Sequence, residues 1–339
     1  MTLMTVLVTG GAGYIGSHTI IDLLENNYQV VAIDNLSNSS FESIKRIKEV
    51  TNRHFDFYKV DLRNKKELDD IFLKHDISCV LHFAGLKSVS DSIKNPLNYY
   101  DNNVFGTLNL LSLMIEHCVY RLIFSSSATV YGVPEKIPVT ENCQTGGTTN
   151  PYGYSKLMIE QIIKDITMSD SNWTAISLRY FNPVGAHPSG LLGESPIGIP
   201  NNLVPYITQV ASGKLTKLNV YGSDYNTKDG SGVRDYIHVL DLASGHTAAL
   251  NKIGDLSGFN AFNLGTGKGY SVLELISCFE KVNGVKVPFT IAERRDGDVA
   301  ECWSSPNLAN AVLKWKAKYS LEDMLKDAWR WECNNPNGY

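Results

Sequence analysis

The chain has 339 residues, of which 43% are hydrophobic and 19% charged, as is ordinary for a soluble enzyme with a large core. Its formal net charge is −4 and its lysines and arginines are scattered, so a nucleic-acid partner is not expected. The six cysteines form no CxxC pair and no His/Cys cluster at metal-ligand spacing, so no metal site is expected.

The first nine residues carry no basic flank and run into glycines too soon to form a signal peptide or a membrane segment. We therefore expect a cytoplasmic protein that does not associate with a membrane.

A glycine turn follows the first apolar segment. Residues 5–8 predict a strand, residues 10–16 read GGAGYIG, and residues 17–26 predict a helix. Glycines suit a tight turn whose backbone approaches a pyrophosphate and whose helix N-terminus faces the phosphates. Such a glycine set is weak evidence by itself.

The second predicted strand strengthens the glycine motif. Residues 30–33 are apolar and end at Asp34, at about the distance where a carboxylate holds both ribose hydroxyls of an adenosine. A carboxylate there repels a 2′-phosphate, and no arginine occurs in residues 35–40, which favours NAD over NADP. The alternative is an acidic turn after a buried strand.

Further strands and helices continue this alternation. Strands are predicted over residues 55–60, 79–83, 122–125 and 174–178, and helices over residues 65–75 and 97–117. The pattern predicts an α/β fold of Rossmann type, a doubly wound parallel sheet with helices on both faces. The candidate ligand residues each follow a predicted strand; they are the glycine turn, Asp34, Asp61, Ala84 and Ser127.

A proton-transfer set is the strongest chemical signal. Tyr152 and Lys156 are four residues apart, and a helix starting after Pro151 would place both on one face. An ammonium beside a phenol favours the phenolate, which would make Tyr152 a base near neutral pH. Ser127 could hydrogen-bond a substrate hydroxyl or the carbonyl formed from it. The three suit the oxidation of an alcohol.

A chance match is the alternative, because the chain has 17 tyrosines. None of the other tyrosines has a lysine at the same offset, and this one follows a strand that ends in a serine triplet. The context favours catalysis.

The composition changes after residue 182, where residues 183–200 are rich in glycine and proline. We expect an NAD-binding domain over residues 1–180 and a substrate-binding lobe over residues 181–339, some of whose segments return to the first domain. The lobe should be smaller and mixed α/β, with helices near residues 203–212, 239–251, 272–282 and 321–331 and strands near residues 262–264 and 287–291.

Two arginine-bearing stretches, residues 233–238 and 293–298, lie in this lobe. Guanidinium groups bind diphosphates bidentately. The commoner fate of an arginine is a surface salt bridge, here with the aspartates that flank it, and the stretches alone do not decide between the two.

Taken together, these motifs resemble the extended short-chain dehydrogenase/reductase family, and within it the UDP-galactose 4-epimerases. The resemblance runs nearly end to end and includes the blocks HFAGLK at residues 82–87, YYDNN at residues 99–103 and LRYFNPVGA at residues 178–186. It implies conversion of UDP-galactose to UDP-glucose and back, by transient NAD-dependent oxidation at C4 of the hexose. The resemblance also implies a role in galactose metabolism.

The resemblance also implies site residues. The dinucleotide would be held by Gly10, Gly13, Tyr14, Ile15, Gly16, Asp34, Asn35, Leu36, Ser37, Asn38, Ser39, Asp61, Leu62, Phe83, Ala84, Gly85, Leu86, Lys87, Asn102, Ser127, Tyr152, Lys156 and Phe181. The UDP-sugar would be held by Ser127, Tyr152, Asn182, Asn202, Leu203, Asn219, Tyr221, Arg234, Tyr236, Arg295, Asp298 and Cys302. A homodimer is implied as well, with its seam on the predicted helices near residues 97–117 and 152–169.

Two other functions remain open. A sugar-nucleotide 4,6-dehydratase shares the oxidation step but needs an additional acid and base, usually Asp-Glu, where this chain has Ala128-Thr129. A non-catalytic NAD-sensing protein would have no use for Ser127, Tyr152 and Lys156.

Cys302 is a departure within the family, because some epimerases have a tyrosine at this place in the sugar pocket. A cysteine is much smaller, and we hypothesise that it leaves room for an N-acetyl group, so that UDP-GlcNAc and UDP-GalNAc also interconvert. The alternative is a buried thiol without effect on substrate choice.

Overall fold

The computed structural model describes residues 4–295 and 298–339, and the chain forms two compact units. Unit 1 comprises residues 1–132, 144–180 and 243–262, and unit 2 comprises residues 133–143, 181–242 and 263–339. Neither unit is continuous along the chain. Of the stretches singled out above, residues 1–3, Asp296 and Gly297 lie outside the described residues.

A seven-stranded sheet forms the centre of unit 1. Its strands are β1 (Thr5–Thr9), β2 (Gln29–Asp34), β3 (Asp56–Lys59), β4 (Cys79–His82), β5 (Arg121–Ser127), β6 (Thr174–Tyr180) and β10 (Gly258–Leu264, ending in unit 2). They lie in the order β10-β6-β5-β4-β1-β2-β3, and the pairs from β6 to β3 are all parallel. The strand order runs outward in both directions from the neighbouring strands β1 and β4, which is typical of a doubly wound sheet, so the predicted fold class is confirmed.

Helices connect these strands, as parallel pairing requires. They are α1 (Tyr14–Glu25), α2 (Phe41–Thr51), α3 (Lys65–Lys74), α4 (Val89–Lys94), α5 (Pro96–Tyr99), α6 (Gly106–Glu116) and α7 (Pro151–Ser169), with α9 (Val239–Lys252) completing the unit from residue 243 onward. Strands β1 and β4 are covered on both faces, which is why they read as continuous apolar runs.

The single helix expected over residues 97–117 is wrong in detail. Between α5 and α6 the backbone forms a π-helix, Tyr100–Phe105. Such segments shift the side chains by a residue relative to a regular helix and often occur at functional sites. Asn102 and Asn103 lie within it.

Unit 2 is smaller and mixed α/β. Its strands are β7 (Asn182–Val184), β8 (Leu218–Tyr221), β9 (Val233–His238), β11 (Gly269–Ser271), β12 (Phe289–Ala292) and β13 (Glu301–Cys302). Strand β9 pairs with β7, β11 and β13, while β8 pairs with β12. The remaining helices are α8 (Leu203–Ala211), α10 (Val272–Asn283), α11 (Asn307–Val312) and α12 (Leu321–Asn334).

Each unit has its own apolar core. In unit 1 the core lies between the sheet and its helices and includes Leu7, Leu110 and Phe124. In unit 2 it joins β8 and β9 to α8, α10 and α12 through residues such as Val220 and Phe279. Within the described part of the chain, no helix combines the length and apolar character needed to cross a membrane, and no group of His, Cys, Asp and Glu side chains could hold a metal ion.

Candidate active site

The glycine turn has a backbone that only glycine accommodates. Gly10 has φ +69°, and a Cβ there would lie 2.7 Å from the backbone nitrogen of Ala84. Helix α1 starts directly after Gly13, whose cap position supplies no side-chain hydrogen bond to the helix. The N–H groups of the first helical turn after a glycine turn are a suitable site for a phosphate group.

Asp34 connects this turn to the loop after β2. Its carboxylate, which is 7% exposed, accepts hydrogen bonds from the backbone N–H groups of Ala12 (3.1 Å) and Leu36 (2.8 Å) and from the Ser39 hydroxyl (2.8 Å). A carboxylate held beside the turn is an acceptor for ribose hydroxyls and repels a 2′-phosphate. The position of the Asp34 carboxylate therefore fits NAD.

The next strand end carries a charge cluster. Asp61 accepts hydrogen bonds from Asn35 (2.9 Å) and from two nitrogens of Arg63 (3.0 and 2.8 Å), and the same guanidinium reaches Asp101 at 2.8 Å. The bonds from Arg63 lower the pKa of Asp61 far below its ordinary value. Arg63 was not among the predicted residues, because an exposed arginine two residues after an aspartate carries no local signal.

Asn103 of the π-helix was also missed. Its side chain binds both backbone groups of Leu86, accepting from the N–H at 2.8 Å and donating to the carbonyl at 3.0 Å. It also donates to Ser155 at 3.0 Å, and Ser155 donates to the Tyr152 carbonyl at 2.7 Å. The loop that carries Ala84–Lys87 is thereby fixed to the helix that carries Tyr152.

Helix α7 places the proton-transfer set as expected. Asn150 caps it by accepting from Gly153 N–H at 2.9 Å, and Pro151 occupies the first turn. Ser127 ends β5 and caps the following 3₁₀ turn, accepting from Thr129 N–H at 3.2 Å. The Ser127 side chain acts on the Tyr152 phenol to lower its pKa.

Lys156 is buried at the end of β5. Its Nζ donates to the carbonyl oxygen of Ser125 at 2.7 Å and lies 4.9 Å from the centre of the Phe124 ring. Burial lowers its pKa to about 8, and the carboxylate of Glu160 opposes that shift. The Lys156 ammonium is therefore stabilised by the Ser125 carbonyl dipole and by the π-face of the Phe124 ring.

The pKa of Tyr152 differs from the prediction. Burial raises it above its ordinary value, while the hydrogen bond from Ser127 and the charge of Lys87 both act to lower it. The expectation that Lys156 favours the phenolate stays a prediction, and Lys87, from the loop after β4, is a second cation whose charge acts to lower this pKa. A residue expected to bind phosphate thus also acts on the acid–base group.

Several residues expected to bind the UDP-sugar meet in unit 2. Arg234 on β9 forms an ion pair with Asp298, and Arg295 lies 4.0 Å from the same carboxylate with its guanidinium 4.3 Å from the centre of the Tyr221 ring. Arg294, by contrast, forms an exposed pair with Asp224 at 2.7 Å. The surface salt bridge is therefore confirmed for Arg294, while diphosphate binding by Arg234 and Arg295 stays a prediction.

Strand pairing brings further predicted residues to β9. Asn182 on β7 lies opposite Tyr236, and Cys302 on β13 lies opposite Arg234. Burial raises the pKa of the Cys302 thiol to about 11 and also raises the pKa of Tyr236. Cys302 is therefore an uncharged small side chain beside the Arg234 cation.

The remaining predicted residues lie elsewhere in unit 2. Asn202 precedes α8 and donates to Glu194 at 2.7 Å, and Leu203 begins that helix. Asn219 on β8 accepts from Thr290 at 3.1 Å. Phe181, expected at the dinucleotide, is buried at the start of the second segment of unit 2.

A family model described as GDP-mannose 4,6 dehydratase matches residues 7–328. A UDP-glucose 4-epimerase from Yersinia enterocolitica is 58% identical over 336 residues, covering 99% of each chain, and one from Bacillus subtilis is 55% identical with the same coverage. The chain belongs to the UDP-glucose 4-epimerase family. Membership in the extended short-chain dehydrogenase/reductase family is thereby confirmed.

A solved structure agrees with this assignment. The UDP-glucose 4-epimerase from Bifidobacterium longum, in complex with NAD⁺ and UDP, has a TM-score of 0.96 and 51% identity, covering 99% of this chain and 100% of that one. A 3₁₀ turn, Ala128–Tyr131, follows Ser127 directly. Ala128 and Thr129, which form the 3₁₀ turn there, supply no carboxyl group for eliminating water.

Proposed function

We propose that this chain interconverts UDP-galactose and UDP-glucose by inverting C4 of the hexose with NAD as its cofactor. The observation that carries the proposal is the set of Ser127, Tyr152 and Lys156 at the end of β5, in the same sheet whose β1 and β2 lead into the glycine turn and the Asp34 carboxylate that fit NAD. The names of the relatives point to the same reaction.

The chemistry explains why an isomerase carries residues suited to alcohol oxidation. C4 of a hexose has no adjacent carbonyl, so its C–H is not acidic enough for inversion by proton removal alone. When bound, NAD supplies a hydride acceptor that later returns the hydride. Because the cofactor is regenerated in each cycle, the chain gains from retaining it.

The chain's own residues supply the proton transfer. Tyr152 takes the proton from the 4-hydroxyl and later returns it, while the Ser127 hydroxyl hydrogen-bonds the same oxygen. Lys87 and Ser127 favour the ionised phenol, which the burial of Tyr152 opposes. Lys156 holds the end of β5 through Ser125. The flat 4-keto sugar then turns over while the UDP portion stays bound.

The proposed ligands divide between the units. The residues of unit 1 named above would hold the dinucleotide, with the α1 N-terminus at the pyrophosphate and Asp34 at the adenosine ribose. In unit 2, Arg234 and Arg295 would bind the diphosphate, with Asp298 orienting Arg234. We also propose the division into an NAD-binding domain, residues 1–180, and a UDP-sugar lobe, residues 181–339, with residues 243–262 part of the first.

The substrate range extends, in this proposal, to UDP-GlcNAc and UDP-GalNAc. Cys302 is the β-strand partner of Arg234, and its small side chain would leave the volume that a tyrosine ring would fill. The thiol is protonated near neutral pH, since its pKa is raised to about 11, so it does not repel the diphosphate.

We further propose a cytoplasmic homodimer. Unit 1 exposes large apolar side chains along two helical stretches, among them Leu97, Phe105, Leu108 and Ile115 before β5 and Tyr154 and Met158 on α7. An apolar surface of this kind is typical of an interface between two copies of a chain. Light scattering on the purified protein would test it.

The central test is whether the purified protein converts UDP-galactose to UDP-glucose with no NAD added. Activity without added cofactor distinguishes an epimerase from a dehydrogenase that releases its cofactor. A 4,6-dehydratase would instead give a product lighter by one water, and an NAD-sensing protein would give no product. Either of those results would refute the proposed function.

A further inference from the structure

The Glu160 carboxylate accepts four hydrogen bonds in the described structure. It lies on α7, one turn after Lys156, and is buried. Its Oε1 accepts hydrogen bonds from Ser126 (2.6 Å), Ser177 (2.7 Å) and Arg179 Nε (3.0 Å), and Arg179 reaches Oε2 at 2.7 Å. Buried ion pairs lose much of their attraction to desolvation, so stability alone is a weak reason to have one here.

Arg179 connects the ion pair to the residues that follow Ser127 in the chain. It lies opposite Ser126 in the pairing of β5 with β6. Its remaining terminal nitrogen donates to the Tyr131 hydroxyl at 2.9 Å, and its guanidinium lies 4.8 Å from the centre of the Tyr131 ring. Tyr131 ends the 3₁₀ turn that Ser127 begins. A single ion pair thus holds the chain immediately before Ser127 and four residues after it.

The last three residues of β5 each have a different partner. The Ser125 carbonyl accepts from Lys156, the Ser126 hydroxyl donates to Glu160, and the Ser127 side chain interacts with Tyr152. Lys156 and Glu160 are four residues apart and lie on one face of α7. They therefore fix the helix that carries Tyr152 to the strand that carries Ser127. Glu160 also opposes the lowering of the Lys156 pKa by burial.

We propose that the Glu160–Arg179 ion pair is a positioning device for the reaction, which acts through Ser126 to set Ser127 against Tyr152. This proposal rests on the proposed function and goes beyond it, because neither charged residue touches substrate. If the ion pair were merely structural, it would serve only to join α7 to β6. The hydrogen bond from Ser177 to Glu160 joins the same two elements equally well.

Two serine variants separate these roles. Ser126→Ala and Ser177→Ala each remove one hydroxyl from the same Glu160 oxygen, and both serines are buried. Only Ser126 adjoins Ser127. We expect Ser126→Ala to lower kcat about tenfold or more with KM within about twofold, and Ser177→Ala to keep kcat within about twofold.

A second measurement does not depend on turnover. The pKa of Tyr152 can be followed by NMR of ¹³C-labelled tyrosine, its signal assigned by its loss in Tyr152→Phe. We expect Ser126→Ala to raise this pKa, because the hydrogen bond from Ser127 is weakened, and Ser177→Ala to leave it unchanged. The titratable groups around Tyr152 are Lys87 after β4, Lys156 on α7 and Tyr180 on β6, and both variants retain all three.

Equal effects of the two serine variants on kcat and on the Tyr152 pKa would overturn the proposal. If Ser126→Ala does not fold, Tyr131→Phe loosens the other side of Ser127 while keeping the ring over Arg179, and it should raise the same pKa; no change would overturn the proposal. A wild-type protein without epimerase activity would refute the proposed function instead, while the titration would still decide whether the ion pair positions Ser127.

Discussion

Lys156 donates a hydrogen bond to the carbonyl oxygen of Ser125 at 2.7 Å, so the lysine of the proton-transfer set holds the strand that carries the serine. This bond buries the ammonium against Phe124 at the end of β5. The proposed acid–base group Tyr152 and its serine partner thus belong to two elements, α7 and β5, that Lys156 helps to join.

Tyr152→Phe should lower turnover by a factor of about 10² or more, because it removes the group that exchanges a proton with the 4-hydroxyl. Binding of UDP-sugar should be largely retained, since the proposed diphosphate ligands are in unit 2. Steady-state kinetics and calorimetry with UDP-glucose would measure both. Tyr154→Phe, at a half-exposed tyrosine on the same helix, is the control and should keep the wild-type rate. A near-normal rate in Tyr152→Phe would remove tyrosine as the base.

Lys87→Met should shift the rising limb of the pH–rate profile to higher pH. The charge of Lys87 lowers the pKa of Tyr152, so its loss raises that pKa, and a base that must be deprotonated then becomes active only at higher pH. Lys87→Arg keeps the charge and should keep the profile, as should Lys94→Met on the exposed end of α4. An unshifted limb in Lys87→Met would assign the pH dependence to another group.

Arg234→Met should weaken UDP binding by about tenfold or more, because it removes a charge-assisted contact to the diphosphate and leaves Asp298 without this ion-pair partner. Arg294→Met is the matched control. Its exposed pair with Asp224 contributes little, so UDP affinity should stay within about twofold. Isothermal titration with UDP would compare them, and equal losses would show that the two arginines do not differ in role.

Cys302→Tyr should abolish conversion of UDP-GlcNAc to UDP-GalNAc while retaining that of UDP-glucose to UDP-galactose, because the tyrosine ring fills the volume left for the acetyl group. Cys302→Ala keeps this volume and should retain both activities. Assays with both sugar pairs would measure the effect. If the wild type ignores the acetylated pair, Cys302 is only a small, half-buried thiol without effect on substrate choice.

Acid should destabilise the protein through His82. This imidazole is buried between the Thr9 and Thr107 hydroxyls, at 2.7 and 2.8 Å, and burial lowers its pKa from 6.5 to about 3. Between these values the unfolded chain binds the extra proton, so the free energy of unfolding falls as pH drops, by at most ~1.4 kcal/mol per pH unit. Urea unfolding at several pH values would measure it. His82→Gln should flatten this slope, whereas His54→Gln, at a highly exposed site, should not.

Local patterns in the sequence were sufficient for much of the fold and for part of the site. The glycine turn, the strand ending at Asp34 and the Tyr152–Lys156 spacing are each contained within a few residues, where periodicity and backbone freedom decide the structure. The fold class is confirmed for this reason. A helix was predicted over residues 97–117, but the π-helix within it was not. The apolar pattern of a π-helix is nearly the same as that of an α-helix, so the sequence does not distinguish them.

Only the tertiary structure determined how charges and burial act on the site. Ser126 and Arg179 meet Glu160 across 34 and 19 residues of chain, and Asn103 meets Ser155 across 52, so no local pattern contains these contacts. The pKa of Tyr152 is raised by burial, and burial likewise depends on packing between segments that are distant along the chain. The sequence places the reactive groups, and packing between distant segments sets the electrostatic field in which they react.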